Sequence, residues 1–348
     1  MITRRMAVAG TLGTFGVNPF RTALAACHAR AGQGIAEQSY LLIGGIDQWV
    51  DIRGSDRSNP VLLILHGGPG STWDPFADLF RDWEDHFTMV YWSQRGAGKT
   101  YRKTGESIAA TMTIPRMVDD GLEVADYLRR RLKKQKIMIL GHSWGTLLGI
   151  EMIRRRPELF SAYIGTGQIV DMNRGEKAGL EEVIRRAGAA HRQEAVSELT
   201  ALGEPPYVDI QKFVTERKWA GVFDTPSDAA FDKAWRNPEW FTKADASERY
   251  KGWLFSNYRI YDPKLENGPA SIDFMSSAAR LEVPVFIIDG AEDHITPASL
   301  AVSYERKLKA PRKSLTLLPG GGHNSIFAMK DAFLKVMLQK LGDLACAP

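Results

Sequence analysis

Ser143 lies in the run Gly141-His142-Ser143-Trp144-Gly145, after the apolar stretch Ile137-Met138-Ile139-Leu140 and before a helical pattern over 146–156. A serine on a tight strand-to-helix turn presents its Oγ at the strand tip. The unpaired N–H groups of the following helix then lie behind it, ready for a developing negative charge. Glycines at both ends of the turn predict backbone approaches too close for a side chain. A serine hydroxyl is a weak nucleophile until a base takes its proton, and that base is normally a histidine oriented by a carboxylate. The chain order for this arrangement is Ser, then acid, then His.

After Ser143, the apolar run over 283–288 leads into Asp289-Gly290-Ala291-Glu292-Asp293-His294. Three acids compete there. Asp289 is close to the strand end, and Gly290 is expected to turn the chain after it. Glu292 and Asp293 fall in the loop. Asp293 is favoured because a shorter side chain fixes an imidazole more tightly. The base is expected after the last strand, where Leu315-Thr316-Leu317-Leu318 runs into Pro319-Gly320-Gly321-Gly322-His323. His323 fits. His142 is expected to be locked in the turn with its side chain directed away, His66 to shape its own loop, and His294 comes too early in the chain. His28, His86 and His191 fall in the N-terminal segment, at a helix end and in an inserted region. A tetrahedral intermediate also needs two preorganised N–H donors. The Trp144 amide is one, and Gly68 in His66-Gly67-Gly68-Pro69-Gly70 is the other.

These groups need strands to carry them. Residues 40–43 and 47–52 around Gly44-Gly45 read as a hairpin. The unbroken apolar run over 61–65 reads as a strand covered on both faces. Further strands are expected over 87–92, 137–140, 162–170, 283–289 and 314–318, with a helix through Met117, Leu122, Val124, Ala125 and Leu128 and a closing helix over 325–341. Strands alternating with helices imply a mostly parallel sheet with helices on both faces. The alternation stops over 171–281. Helical, charged stretches dominate there (179–190, 197–202, 210–220), together with Trp219, Trp235, Trp240 and Trp253. That segment reads as a helical cap inserted between the core segments 34–170 and 282–348.

The chain has 348 residues, 44% hydrophobic and 25% charged, enough for one large core and against global disorder. Its net charge is +4, but residues 1–30 hold four arginines and no acid, which leaves 41 basic against 41 acidic residues in the body. The basic excess therefore gives no argument for nucleic acid. Thr3-Arg4-Arg5-Met6-Ala7-Val8 resembles a twin-arginine export signal. Leu24-Ala25-Ala26-Cys27 resembles a lipobox, while Ala23-Leu24-Ala25 alternatively suits ordinary signal-peptidase cleavage. The expected location is outside the cytoplasm, periplasmic or lipid-anchored at the cell envelope, with Cys27 as the only expected membrane attachment. Cys27 and Cys346 are the only cysteines. They predict no structural disulfide, and no Cys/His cluster predicts a metal or other cofactor.

Three motifs together, His66-Gly67-Gly68-Pro69-Gly70, Gln94-Arg95-Gly96-Ala97-Gly98 and Gly141-His142-Ser143-Trp144-Gly145, resemble the proline iminopeptidase family of α/β-hydrolases. The resemblance covers the sheet domain. It implies the α/β-hydrolase fold, a triad of Ser143, Asp293 and His323, oxyanion donors at Gly68 and Trp144, and release of an N-terminal residue from a small peptide. Two departures stand out. Ser93 occupies the position where the family usually carries Asp before Gln-Arg-Gly. The Trp-Glu pair near the family's amine-binding acids is also absent from the cap, the nearest match there being Pro238-Glu239-Trp240. Glu239 beside Trp240 is the first candidate for the substrate ammonium, with Glu181 and Glu182 as alternatives. A carboxylic-ester or amide hydrolase with an apolar, Trp-rich cap pocket is the competing expectation.

Overall fold

The computed structural model describes residues 33–207, 209–235, 243–262, 264–265 and 268–346. The proposed export segment with Cys27, and the cap residues Glu239 and Trp240, lie outside the described residues.

Eight strands form one sheet: β1 (Ile35–Ile43), β2 (Ile46–Gly54), β3 (Val61–Leu65), β4 (Thr88–Ser93), β5 (Ile137–His142), β6 (Phe160–Thr166), β7 (Val285–Gly290) and β8 (Lys313–Leu318). Their spatial order is β1-β2-β4-β3-β5-β6-β7-β8. β2 pairs antiparallel with both β1 and β4, and all pairs from β4 to β8 are parallel. The hairpin turns at Gly44 and Gly45, both at positive φ. β3, β4 and β5 are buried along their whole length, which is why they read as unbroken apolar runs.

The helices are α1 (Gly98–Thr104), α2 (Ile114–Leu132), α3 (Trp144–Arg155), α4 (Met172–Ala189), α5 (Gln193–Ala201), α6 (Ile210–Val222), α7 (Pro226–Trp235), α8 (Lys243–Ile260), α9 (Phe274–Ser277), α10 (Ala298–Lys307), α11 (Ser325–Ala328) and α12 (Lys330–Leu341). The alternating side chains of β3 feed two separate cores. Leu63 and Leu65 pack with α2 and α3, whereas Leu62 and Ile64 pack with Trp83, Phe333 and Met337. Helices on both faces of a mostly parallel sheet make this the α/β-hydrolase fold.

Three expectations are corrected. The strand expected over 162–170 stops at Thr166, because Gly167 turns out of it at φ +58°, and Gln168 to Val170 line the cavity next to Ser143. The closing helix is two pieces broken at Met329. Gly290 does not turn the chain: it is the last residue of β7, and a Cβ there would lie 2.2 Å from the Gly322 carbonyl oxygen.

Between Asp171 and Leu281 the described residues carry helices and add no strand to the sheet. Their core is α4, α5 and α6 around Leu180, Val183, Leu199 and Trp219. α8 seals this layer onto the loops after β3 and β4: Ser256 Oγ donates to the Gly96 carbonyl at 3.0 Å, and Asn257 Nδ2 to that of Pro69 at 3.1 Å.

Arg95 works away from the serine. Fully buried, it grips Asp120 with two hydrogen bonds, at 2.7 and 3.1 Å, and donates to the Gly44 carbonyl at 2.9 Å. Asp120 also accepts from Gln48 and Arg116. The bidentate geometry and the further partners offset the cost of burying both charges, so the pair ties the hairpin to α2.

Candidate active site

Ser143 is the N-cap of α3 and, among the described residues, one of three non-glycine residues at positive φ, at 52° with ψ −120°. Its amide donates to the Thr166 carbonyl, and its carbonyl accepts from the Thr146 amide at 2.8 Å. Tight packing explains the flanking glycines. A Cβ on Gly145 would sit 1.8 Å from the Leu65 carbonyl oxygen, and one on Gly141 would sit 2.7 Å from that of Gly145. No side chain fits at either position. The Trp144 amide is the first of α3 and has no carbonyl one turn back within that helix.

The loop after β3 presses against this turn. A Cβ on Gly67 would lie 3.2 Å from the Ser143 Cβ, and Gly68 (φ +116°) lines the same cavity as Ser143. His66 holds the loop as expected: its Nδ1 donates to the Gly67 carbonyl, and its Nε2 accepts from the Gln94 amide. One ring nitrogen donates and the other accepts, which requires the neutral form. Burial pushes this imidazole down to about 4.

On the other side, His323 Nδ1 and Asp293 Oδ2 are 2.9 Å apart. Asp293 Oδ1 accepts from the amides of Ile295 and Thr296, both at 2.9 Å, and Oδ2 accepts from Thr296 Oγ1 at 2.8 Å. Burial alone would raise Asp293. The facing His323 and these donors outweigh it and hold the carboxyl below its usual range. Burial likewise opposes the charged form of His323, yet Asp293 outweighs it and raises the imidazole. Ser143 and His323 line one cavity of about 290 Å³, also bordered by Gly68, Trp73, Arg217 and Trp253. Of the competing acids, Asp289 lies inside β7, fully buried, where desolvation and then the charge of Asp293 push it up to about 8. Of the three acids only Asp293 meets the imidazole of His323 among the described hydrogen bonds, and Thr296 Oγ1 lies 3.2 Å from the same Nδ1.

His142 backs the His323 loop. Its ring is 5.1 Å from that of His323, and its Nε2 lies 3.2 Å from the His323 carbonyl oxygen. Burial, then the neighbouring His323, push it down to about 3, so it stays neutral. His294 faces the cap, with Nε2 at 3.2 Å from the Ala220 carbonyl oxygen.

Sequence reasoning missed two acids. Asp228 on α7 is fully buried and accepts from the amides of Gly322 and Asn324, which flank His323. Its signal was a helix start, Thr225-Pro226-Ser227-Asp228, where Thr225 Oγ1 caps the Asp228 amide at 3.2 Å. The other is Glu176 on α4. It lines a chamber of about 60 Å³ with Ser143, Gly68, Trp144, Arg217 and Tyr261. Glu176 Oε1 is buried without a hydrogen-bond partner, and burial pushes the carboxyl up to about 7 despite Arg217 nearby. Arg217 is engaged by its neighbour Glu216 at 2.6 Å. Of the alternatives weighed from sequence, Glu182 is held by Arg185 and Arg186, and Glu181 is exposed.

A serine on a strained turn and a carboxylate-paired imidazole bordering the same cavity suit hydrolytic chemistry. Over residues 60–328 the chain matches the alpha/beta hydrolase fold family, and it belongs to that family. It is 30% identical over 290 residues to a Bacillus subtilis (strain 168) protein named "Probable aminopeptidase YbaC", an alignment spanning 81% of this chain and 88% of that one. It is 23% identical to a proline iminopeptidase of Saccharolobus solfataricus, across 86% of this chain and 91% of the relative. Among solved structures, a proline iminopeptidase-related protein of Thermus thermophilus superposes with a TM-score of 0.65 at 20% identity, covering 90% of this chain and 99% of that one. The last likeness bears on the fold alone.

Proposed function

We propose that this alpha/beta hydrolase is a serine aminopeptidase that releases the N-terminal residue of small peptides. In this reading His323 takes the Ser143 proton as Oγ attacks the scissile carbonyl. The amides of Gly68 and Trp144 receive the oxyanion. His323 then passes the proton to the leaving amine, and water, activated by the same imidazole, frees the acyl group from Ser143. Asp293 holds the imidazole in the tautomer that can accept at Nε2.

Glu176 carries the choice of substrate. Glu176 and Glu216 both face Arg217, and Glu216 takes the hydrogen bond, so one buried carboxylate oxygen next to Ser143 has no partner. A buried charge needs a partner, and a substrate ammonium supplies one. This assigns to Glu176 the role expected from sequence for Glu239. The small chamber has room for roughly four to six water-sized groups, enough for a compact first residue and too little for a long chain. The names of the aminopeptidase relatives agree with this reading.

The test compares Pro-naphthylamide with its N-acetylated form. The free amine should be cleaved and the blocked one refused. Glu176→Gln should raise KM about 10- to 150-fold, the equivalent of about 1.5–3 kcal/mol for a lost charged hydrogen bond. KM should also rise as pH falls through about 7, where Glu176 takes up a proton. Equal cleavage of free and blocked substrates favours the second reading, an ester or amide hydrolase, for which the apolar chamber walls at Ile169, Val170, Met172 and Leu300 argue.

A further inference from the structure

The body of the chain is neutral, yet its charges are not evenly spread. Six of the eight residues from Arg129 to Lys136 are basic, and none is acidic. They form the last turn of α2 and the link into β5. Arg130, Lys133 and Lys136 are exposed and, among the described residues, have no ion-pair partner. The others anchor the turn in place. Arg131 pairs with Glu37 of β1 at 2.6 Å, Arg57 pairs with the same carboxylate at 3.3 Å, and Lys134 donates to the Ser58 carbonyl at 2.7 Å.

The topology fixes where this patch lies. β3, β4 and β5 are parallel, and Val61, Thr88 and Ile137 begin them at one edge of the sheet. Ile35, the first residue of β1, pairs with Gly54 at that same edge. Ser143 and the loop after Leu65 follow the other ends of the strands. The basic turn and the active-site cavity are therefore at opposite poles, separated by about 16 Å of strand. The chain enters β1 at the basic pole. Cys27 is eight residues before Ile35, within at most about 28 Å of fully extended chain.

We propose that the basic pole around Arg130, Lys133 and Lys136 is a docking surface for an anionic phospholipid bilayer. A single lipid chain holds a protein to a membrane only marginally, and a polybasic surface is a second signal that makes the attachment stable. A lipid on Cys27 would join the fold through β1, whose first residue is at this pole. Docking there leaves the cavity of Ser143 facing away from the bilayer, open to peptides in solution. The surface acts through charge, so it does not depend on Cys27 being modified.

The test uses the full-length Cys27→Ser protein, which carries no lipid at that position, in co-sedimentation with vesicles. It should bind mixed phosphatidylglycerol–phosphatidylcholine vesicles and not pure phosphatidylcholine vesicles. Binding should vanish near about 1 M salt, where charges are screened within about 3 Å. The triple change Arg130→Glu, Lys133→Glu and Lys136→Glu should weaken binding about a hundredfold or more. Hydrolysis of a soluble substrate should be unchanged, which also shows that the variant folds. The corresponding triple change to Gln should lie between the two. Equal binding to neutral vesicles, or a Glu variant that binds like its parent, overturns the proposal. Retention on duplex DNA with no vesicle binding overturns it in favour of a nucleic-acid surface.

Discussion

Asp293→Asn separates the two things this carboxylate does. Asn keeps an acceptor for the amides of Ile295 and Thr296, so the loop geometry survives. Its NH2 group, however, can face His323 Nδ1 only if that nitrogen accepts. The proton then sits on Nε2, and the imidazole can no longer take one from Ser143. Loss of the orienting carboxylate in such a triad costs about four orders of magnitude in turnover, or about 5.5 kcal/mol of barrier. The electrostatic effect has its own sign. His323 lies above its ordinary 6.5 because Asp293 outweighs burial. In the proposed mechanism His323 works unprotonated, so activity of the wild type should rise with pH through a value above 6.5. Without the Asp293 charge, burial is opposed only by the weaker pull of Asp228 and Asp224, and the acid limb should move down. The assay is kcat/KM against pH with an aminoacyl-naphthylamide. A loss smaller than about tenfold, or an acid limb that stays in place, refutes the reasoning. Severe loss in Glu292→Gln with a mild effect at Asp293 would move the acid to Glu292.

Gly145→Ala should cost more than the usual roughly 1–3 kcal/mol of overpacking, because its Cβ would meet the Leu65 backbone at 1.8 Å; a melting temperature within a degree or two of wild type would contradict this. Asp289→Asn should stabilise the protein by about 3 kcal/mol or more at pH 7. Its folded value, pushed up to about 8, lies above the ordinary 3.8, so wild-type stability from this group is complete below 3.8 and is lost as pH rises toward 8. Urea titrations at pH 4 and pH 8 check it, since the advantage of Asn should be small at the first and largest at the second.

The legible parts of the fold were those whose chemistry is local or whose burial is uniform. β3 read at its true bounds because both its faces are covered. β6 was read as ending four residues late because Ile169 and Val170 continue the apolar run for a different reason: they wall the cavity. α8 was not read because its buried face mixes Phe255 and Ile260 with Gly252, Ser256 and Asn257, which meet backbone and interrupt the apolar stripe. The serine turn was legible since the glycines it requires are fixed by backbone contact. Glu176 was legible only in hindsight of a face. It interrupts the stripe of Met172, Gly179, Leu180 and Val183 on α4, and a carboxylate in an apolar stripe marks either a partner or a ligand.

Ser93 shows why position in sequence and position in space must be kept apart. Against the family pattern it reads as a lost acid ahead of Gln94-Arg95-Gly96. In the structure Ser93 Oγ donates to Asp74 Oδ1 at 2.8 Å and meets Thr72 Oγ1 at 2.9 Å, while Thr72 also donates to Asp74. Lys99 stands 3.9 Å from the same carboxylate. A negative charge is thus present at the end of β4, delivered by the loop that follows Gly70 instead of by the strand itself. A serine suits that arrangement, since an aspartate at 93 would set two carboxylates against each other in a buried place. The departure therefore relocates the acid without removing it. It acts on the joint between the loops after β3 and β4.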